Sequence, residues 1–497
     1  MMPLNMSRSA LAKTLALTAV IAPLWAGTAM AWTGDDVAKR VQALLKEQMI
    51  ELTYSKVDTK DQTVVLQDAK ARVVVGKDLD SDETSPVNLG TITLSGISEI
   101  DGDVYLIEKA SFDDVKIVED SSVFTTSDIR FDKVKLTKDP KTDLIGRMQY
   151  AESFHVGALT LTNGGKKIFE LSDLNLSQEP YSKEKPSNYS WGFKALTLDL
   201  EEINRIDQEK KKKQAEEVAK ATEEAAQAAA EAAEAAAEEA TKHLNKKHDD
   251  ATADSDAAKA AATDIEEDEN EVTADGADAS TDEDIADEDT IAEAQDDFDM
   301  AAIRALGLEK IHLTMEAKGS WSPYSGAYVI DNMTLNGQNI GTYSYKLSMG
   351  GYDMKFIKAV QDLFNNVLED GGDNTSMQIA AVGMMQNLSI KHMEMRYDDA
   401  DFFGKVLDYQ AKERGITREE LVKEMKDQLQ FGVLYFDNEP RVVEAVKALG
   451  EYLDAPKSLS LKVQPENPVT FGILTAVGMA EPKKLWSVLG VTVEANK

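Results

Sequence analysis

A short alternation of apolar and polar residues keeps returning along this chain. It reads DVKI at Asp114–Ile117, KVKL at Lys133–Leu136, ALTLT at Ala158–Thr162, DLNLS at Asp173–Ser177 and ALTLD at Ala195–Asp199. It resumes as KIHLT at Lys310–Thr314, NMTLN at Asn332–Asn336, NLSI at Asn387–Ile390 and SLSLKV at Ser458–Val463. A period of two predicts β-strands with one buried and one wet face. Asp101-Gly102, Asn163-Gly164-Gly165 and Asn336-Gly337 fall between such stretches, and these residues supply the positive φ of tight hairpins. The pattern predicts a meandering antiparallel sheet, and its uneven spacing argues against a propeller or solenoid. Because the alternation lies on both sides of a long break, the two halves are expected to build one continuous sheet or two related ones.

Helices are predicted where the period lengthens. Val37, Val41, Leu44 and Leu45 share one face of a helix over about Asp35–Met49, and Ile357, Val360, Phe364 and Val367 or Leu368 do so over Asp353–Glu369. A helix over Asp399–Arg414 precedes Thr417-Arg418-Glu419-Glu420, a capping box that opens another to about Gln430. Pro440–Leu453 reads as a further helix. Their polar faces mix acids and bases, so core packing is expected over membrane contact. The fold class is α+β, mainly antiparallel β, with β-rich parts at 32–204 and 300–497.

Between these parts the composition changes twice. Residues 205–248 are rich in Ala, Glu and Lys, strong helix formers, and Glu216 and Lys220 are spaced for an i, i+4 pair. Almost no large apolar residue is present, so a single solvated helix is expected. A coiled coil is the competing reading, disfavoured because Ala at a and d positions packs weakly. Residues 249–299 hold 22 acidic residues against the single Lys259. A segment that polar cannot bury enough surface to offset its ordering entropy, which predicts disorder.

The first residues read as an export signal. Arg8 and Lys13 precede an apolar stretch from Thr14 to Trp25, too short for a stable span, and Ala29-Met30-Ala31 has the small-residue pattern of a cleavage site. Cleavage between Ala31 and Trp32 is the expectation, with an uncleaved anchor as the alternative. The address implied is the periplasm, with no membrane span in the mature chain, since Val469–Ala480 is short and contains Gly472 and Gly478.

Net charge is −35, of which −21 sits in 249–299, leaving −14 for the other residues. That balance argues against nucleic acid and against anionic headgroups as partners. With no Cys in the sequence, disulfides, thiol nucleophiles and Cys-ligated metals are excluded.

Strings such as GALTLTNGGKKIFELSDLNLS and IDNMTLNGQNIGTYSYKL resemble the strand repeats of AsmA-like and YdgA-like periplasmic proteins. The resemblance covers most of the chain outside the insert. It implies an elongated, curved antiparallel sheet with an apolar concave side, and a part in lipid movement or envelope integrity. Those families usually keep a membrane-spanning N-terminus, where this chain carries a cleavage pattern.

No residue pattern states a chemistry. There is no G-x-S-x-G elbow, H-E-x-x-H helix or phosphate loop. His243 and His248 lie in the charged insert, while His155 and His312 alternate onto the polar face of their strands; His392 has no assignable face. Ser182–Lys185 matches S-x-x-K in a Pro-flanked loop, and Asp78, Asp80 and Asp82 start like a calcium loop but lack its Gly and closing Glu. The expectation is a non-enzymatic periplasmic binding or scaffold protein without cofactor, catalytic or metal site. Its expected partner is a lipid or an envelope protein. Alternatives are an interaction protein using the insert as a docking arm, and a hydrolase.

Overall fold

The computed structural model describes residues 32–47, 50–73, 86–101, 104–119, 121–137, 151–180, 185–252, 300–370 and 383–497. Ala31, Asp78, Asp80, Asp82, Ser182 and the acidic segment from 253 to 299 lie outside them.

Thr33 starts the first helix, α1 (Gly34–Glu47), by accepting a hydrogen bond from Asp36 N at 3.1 Å. Nine strands follow: β1 (Ile50–Thr53), β2 (Lys56–Lys60), β3 (Thr63–Val73), β4 (Val87–Asp101), β5 (Val104–Phe112), β6 (Val115–Glu119), β7 (Ser122–Leu136), β8 (Ser153–Asn163) and β9 (Lys166–Gln178). β10 (Ser187–Asp199) leads into the long helix α2 (Leu200–Thr252), and α3 (Met300–Leu306) precedes β11 (Lys310–Ser322), β12 (Ala327–Gly337) and β13 (Gly341–Gly350). Then come α4 (Met354–Asp370), β14 (Ser389–Asp399), α5 (Phe402–Glu413), α6 (Arg418–Tyr435) and α7 (Pro440–Asp454). The chain ends with β15 (Ser458–Val463), β16 (Val469–Thr470), α8 (Phe471–Ala480), the turn Pro482–Lys484, α9 (Leu485–Val488) and β17 (Val491–Ala495).

All seventeen strands belong to one open sheet, and every pairing in it is antiparallel. Most sequence neighbours pair, as in a meander, but β1 reaches past β2 to β3, β5 past β6 to β7, and β16 and β17 pair with β14 and β15 and not with each other. Of the two expectations, one continuous sheet is the one realised: β10 and β11, on either side of the insert, pair from Ser187↔Trp321 to Asp199↔Lys310. One compact unit takes the described residues up to Glu202 and from Met300 onward; a second begins at Ile203 with the body of α2.

Several strands run longer than a strict alternation allows, because β-bulges reset the face. On β3, Val64 and Leu66 are buried and so are Ala69 and Ala71, with Asp68 between them at φ 52°. Asp tolerates this left-handed backbone, and Ser55 Oγ donates to its carboxylate at 2.6 Å. Gly96 on β4, at φ 68°, separates the buried Leu94 and Ile97 without a register slip against β5; a side chain there would meet Glu108 Cβ at 2.7 Å. Both irregularities keep the apolar residues on one side of the sheet.

Helix boundaries shift from the sequence expectation for local reasons. The insert helix starts at Leu200, inside the part assigned to 32–204, because Asp199 Oδ1 accepts from Glu202 N at 2.9 Å and caps it. It continues to Thr252, past the boundary expected at 248, since no Gly or Pro interrupts it. Glu216 and Lys220 do not pair with each other; Lys212 pairs with Glu216 and Lys220 with Glu224, both at i, i+4. Asp399 is strand rather than helix, and it caps α5 by accepting from Phe403 N at 3.0 Å. The turn expected at Asn336-Gly337 falls later, with Asn339 supplying the positive φ of 60°. Gly164 and Gly165 do form the two-residue hairpin loop, at φ 55° and 80°.

The Thr417 capping box is present in both directions: Glu420 N donates to Thr417 Oγ1 and Thr417 N donates to Glu420 Oε2. Thr417→Ala is expected to cost about 1 kcal/mol, read as a lowered urea midpoint, with hydrogen exchange accelerated first in the α6 amides.

Candidate binding face

Cross-strand partners in an antiparallel pair lie on the same face, so the register traces a row across the sheet. It runs Leu94↔Ala110↔Phe131↔Phe154↔Leu176↔Trp191 through β4, β5, β7, β8, β9 and β10. It continues Ala317↔Met333↔Tyr345↔Met395↔Leu461↔Val493 through β11 to β15 and β17, with Trp191↔Ala317 as the link. Every member is apolar or aromatic. The neighbouring row Gly319↔Ile330↔Leu347↔Met393↔Val463↔Val491 is apolar as well.

Helices cover the two ends of this face. Val37, Ala38, Val41, Leu44 and Leu45 form the inward stripe of α1, each at most 2 % exposed, and α1 packs on β1, β2 and β3. Tyr105 reaches it from β5, donating to Asp36 Oδ2 at 2.9 Å under the Arg40 guanidinium, 4.6 Å above the ring. Burial, and then that hydrogen bond, push the Tyr105 phenol up to about 12. At the other end, α7 lays Ala448 and Tyr452 against Tyr397, Leu459, Val493 and Ala495. Burial and the nearby Asp399 carboxylate push Tyr452 up to about 12.

Between these covers the face opens. Leu94, Ala110 and Phe131 are buried, whereas Leu176 and Trp191 in the same row are 38 % and 41 % exposed. Met333, Tyr345 and Met395 are half-buried, sheltered by their neighbours on the sheet. At one strand end Tyr189 stacks on Tyr328 at 5.9 Å and donates to Val329 O at 3.0 Å. Burial, helped by Tyr328, holds its phenol well above the usual range. It lies across Gly319, where a Cβ would stand 2.2 Å from Val329 O and 2.5 Å from the Tyr189 hydroxyl. Phe356 at the start of α4 extends this aromatic edge through Tyr352 at 5.3 Å.

The opposite face carries the polar residues. His155 stands there between Asn175 Oδ1 at 2.7 Å and Asp128 Oδ2 at 3.1 Å, and His312 meets Thr197 Oγ1 at 3.0 Å. His392 pairs across from Ser348, on the face opposite Met393, with Glu394 at 3.9 Å. The three histidines sit on separate strands with separate partners and are not brought together. His243 and His248 lie on α2, their side chains outside the described residues. Among the described residues no group of three or more His, Asp or Glu is placed to hold a metal ion, and no helix is long and apolar enough to cross a membrane.

No curated protein matches this chain. A family described only as an uncharacterized protein matches residues 334–496, from within β12 to the end of β17. That stretch holds the part of the sheet where the face passes from uncovered strands to the cover of α7.

Proposed function

We propose that this is a non-enzymatic envelope protein whose uncovered sheet face binds lipid-like ligands through their acyl chains. The observation that carries the reading is the cross-strand apolar row, which leaves the core at β9 and stays apolar through β15. Six strand spacings of about 4.8 Å make an apolar path of roughly 29 Å, longer than one acyl chain in a hydrocarbon core of about 30 Å for two leaflets. Met315, Met333, Met349, Met393 and Met395 share this face, and flexible thioethers adapt to chains without a fixed shape. The periplasm is read as its place of work from the Thr14–Trp25 stretch and the Ala29-Met30-Ala31 pattern.

Native mass spectrometry of the purified full chain, followed by solvent extraction, tests this. Lipid adducts are expected on the wild type, reduced about tenfold or more in Met333→Asp/Tyr345→Asp, because each half-buried apolar contact becomes a charge facing hydrocarbon. A wild type that carries no lipid, or a double variant that carries the same amount, overturns the reading.

The docking-arm alternative has one observation of its own. From Gln208 to Gln227 the residues of α2 are exposed apart from Lys211, and Lys211–Asp207, Lys212–Glu216 and Lys220–Glu224 are ion pairs within the helix. Deleting Gln208–Asp299 should leave lipid binding intact and remove only contacts made by the arm.

A further inference from the structure

Two uncharged apolar runs meet at one corner of the sheet unit. The first closes α6, where no charged residue occurs from Gln428 to Phe436 and Phe431, Leu434 and Tyr435 are 70 %, 65 % and 62 % exposed. The second is α8 and the residues before it, uncharged from Asn467 to Ala480. α8 reads FGILTAVGMA and has no buried residue; Ile473 is 49 % and Met479 84 % exposed. Both runs border the turn Pro482–Lys484. Lys483 Nζ stands 5.5 Å over the Tyr435 ring and 2.6 Å from Asp437, and α8 packs on the turn and on α9.

A helix that is apolar on all sides is stable in water only when buried, or when its medium is not water. A protein groove would ask for a single apolar stripe. Here Ile473, Thr475, Ala476, Met479 and Ala480 are exposed over an arc of about 160° at 100° per residue, and the other positions of α8 are only half-buried. Charge sets the kind of surface. Where the runs meet stand Asp437, Glu439 and Glu481 against Arg441, Lys483 and Lys484, a net of zero in a chain of −35. Anionic surfaces are repelled by the chain and not selected by this corner, whereas a zwitterionic headgroup layer complements it. Tyr435 beside Lys483, and Trp486 packed on Phe436 at 6.2 Å, put amphipathic rings at the boundary, where such rings settle in bilayers. At ten residues, α8 is about 15 Å long, enough to lie in the interface and too short to cross it.

We infer that the Phe431–Tyr435 end of α6 together with α8 is a membrane-docking corner that inserts its apolar side chains into the interface of a zwitterionic bilayer. It is separate from the sheet face and does not depend on lipid being bound there.

The test is vesicle flotation of the full chain as purified from cells, with phosphatidylcholine vesicles. The wild type is expected to float in a salt-insensitive manner, and Phe431→Asp/Ile473→Asp to lose about tenfold or more in partition with an unchanged thermal midpoint. Wild type and variant carry the same N-terminus as purified, so any affinity of its own cancels. The chain has no cysteine, so an environment-sensitive dye on Met479→Cys reports this corner alone. It should shift to the blue on vesicles, while the same dye on Lys60→Cys, at the far sheet edge, should not. No flotation, flotation that needs anionic lipid, an unaffected double variant, or a dimer that Ile473→Asp dissociates would each overturn the inference. Loss of lipid from Met333→Asp/Tyr345→Asp with flotation intact separates the two surfaces.

Discussion

Leu44→Ala is expected to lower the unfolding free energy by about 3 kcal/mol, whereas Met333→Ala costs about 1 kcal/mol or less. Both side chains lie on the apolar side of the same sheet, and deletion removes a similar volume. The difference comes from what stands above them. Leu44 is fully buried in the inward stripe of α1, so its loss leaves a cavity between that helix and the strands it packs on. Met333 is half-buried, so water takes the space that its side chain gives up. Urea unfolding of the two variants, with equal slopes as the check that the denatured state is unchanged, makes the comparison. Equal losses would mean that the middle of the sheet is covered as well as its ends, and the binding face would not exist.

The features legible in the sequence were those set by a few neighbouring residues. Thr417 and Glu420 are three apart, and their reciprocal hydrogen bonds depend on nothing distant. Gly164 and Gly165 take the positive φ that their lack of a side chain allows. The start of α2 at Leu200 had a comparable signal, since Asp199 followed by Glu202 has the spacing of a capping residue and its N3 partner. That signal was masked by the β-alternation of ALTLD just before it. The binding face was legible only as alternation. Its continuity depends on register between residues as far apart as Trp191 and Ala317, and on left-handed residues at Asp68 and Gly96 that no period-two template contains. α8 is not legible as a helix, because FGILTAVGMA is apolar on every side and so carries no 3.6-residue period. The histidines fell as the alternation predicts for His155 and His312, and His392 was settled only when its partner Ser348 fixed its face.

Stability should also fall steeply in alkali, and tyrosines at the covered ends of the sheet are the reason. Tyr105 and Tyr452 are 1 % and 5 % exposed and titrate at about 12 in the folded protein, against 10.0 when free. Burial disfavours the phenolate in both cases, and a carboxylate adds to it: Asp36 beside Tyr105, partly offset by Arg40, and Asp399 near Tyr452. A raised pKa means that the folded state holds its proton while the unfolded chain has lost it. The contribution is therefore fully present below pH 10 and disappears as the pH rises towards 12. Each phenol removes about 1.4 kcal/mol per pH unit across that window, roughly 5 kcal/mol for the pair over its whole width. Tyr189 and Tyr397 shift in the same direction, chiefly through burial. Lysines raised by ion pairs, such as Lys133 with Glu152, also weaken the fold as the pH rises, so the wild-type slope alone does not single out the phenols. Urea midpoints of Tyr105→Phe/Tyr452→Phe do. The double variant should start less stable below pH 10, having lost the Tyr105–Asp36 hydrogen bond, and then fall more slowly than the wild type. Phenolate absorbance should rise together with unfolding in the wild type. Parallel curves for the two proteins would mean that neither phenol is shielded, and that α1 and α7 do not seal the ends of the sheet.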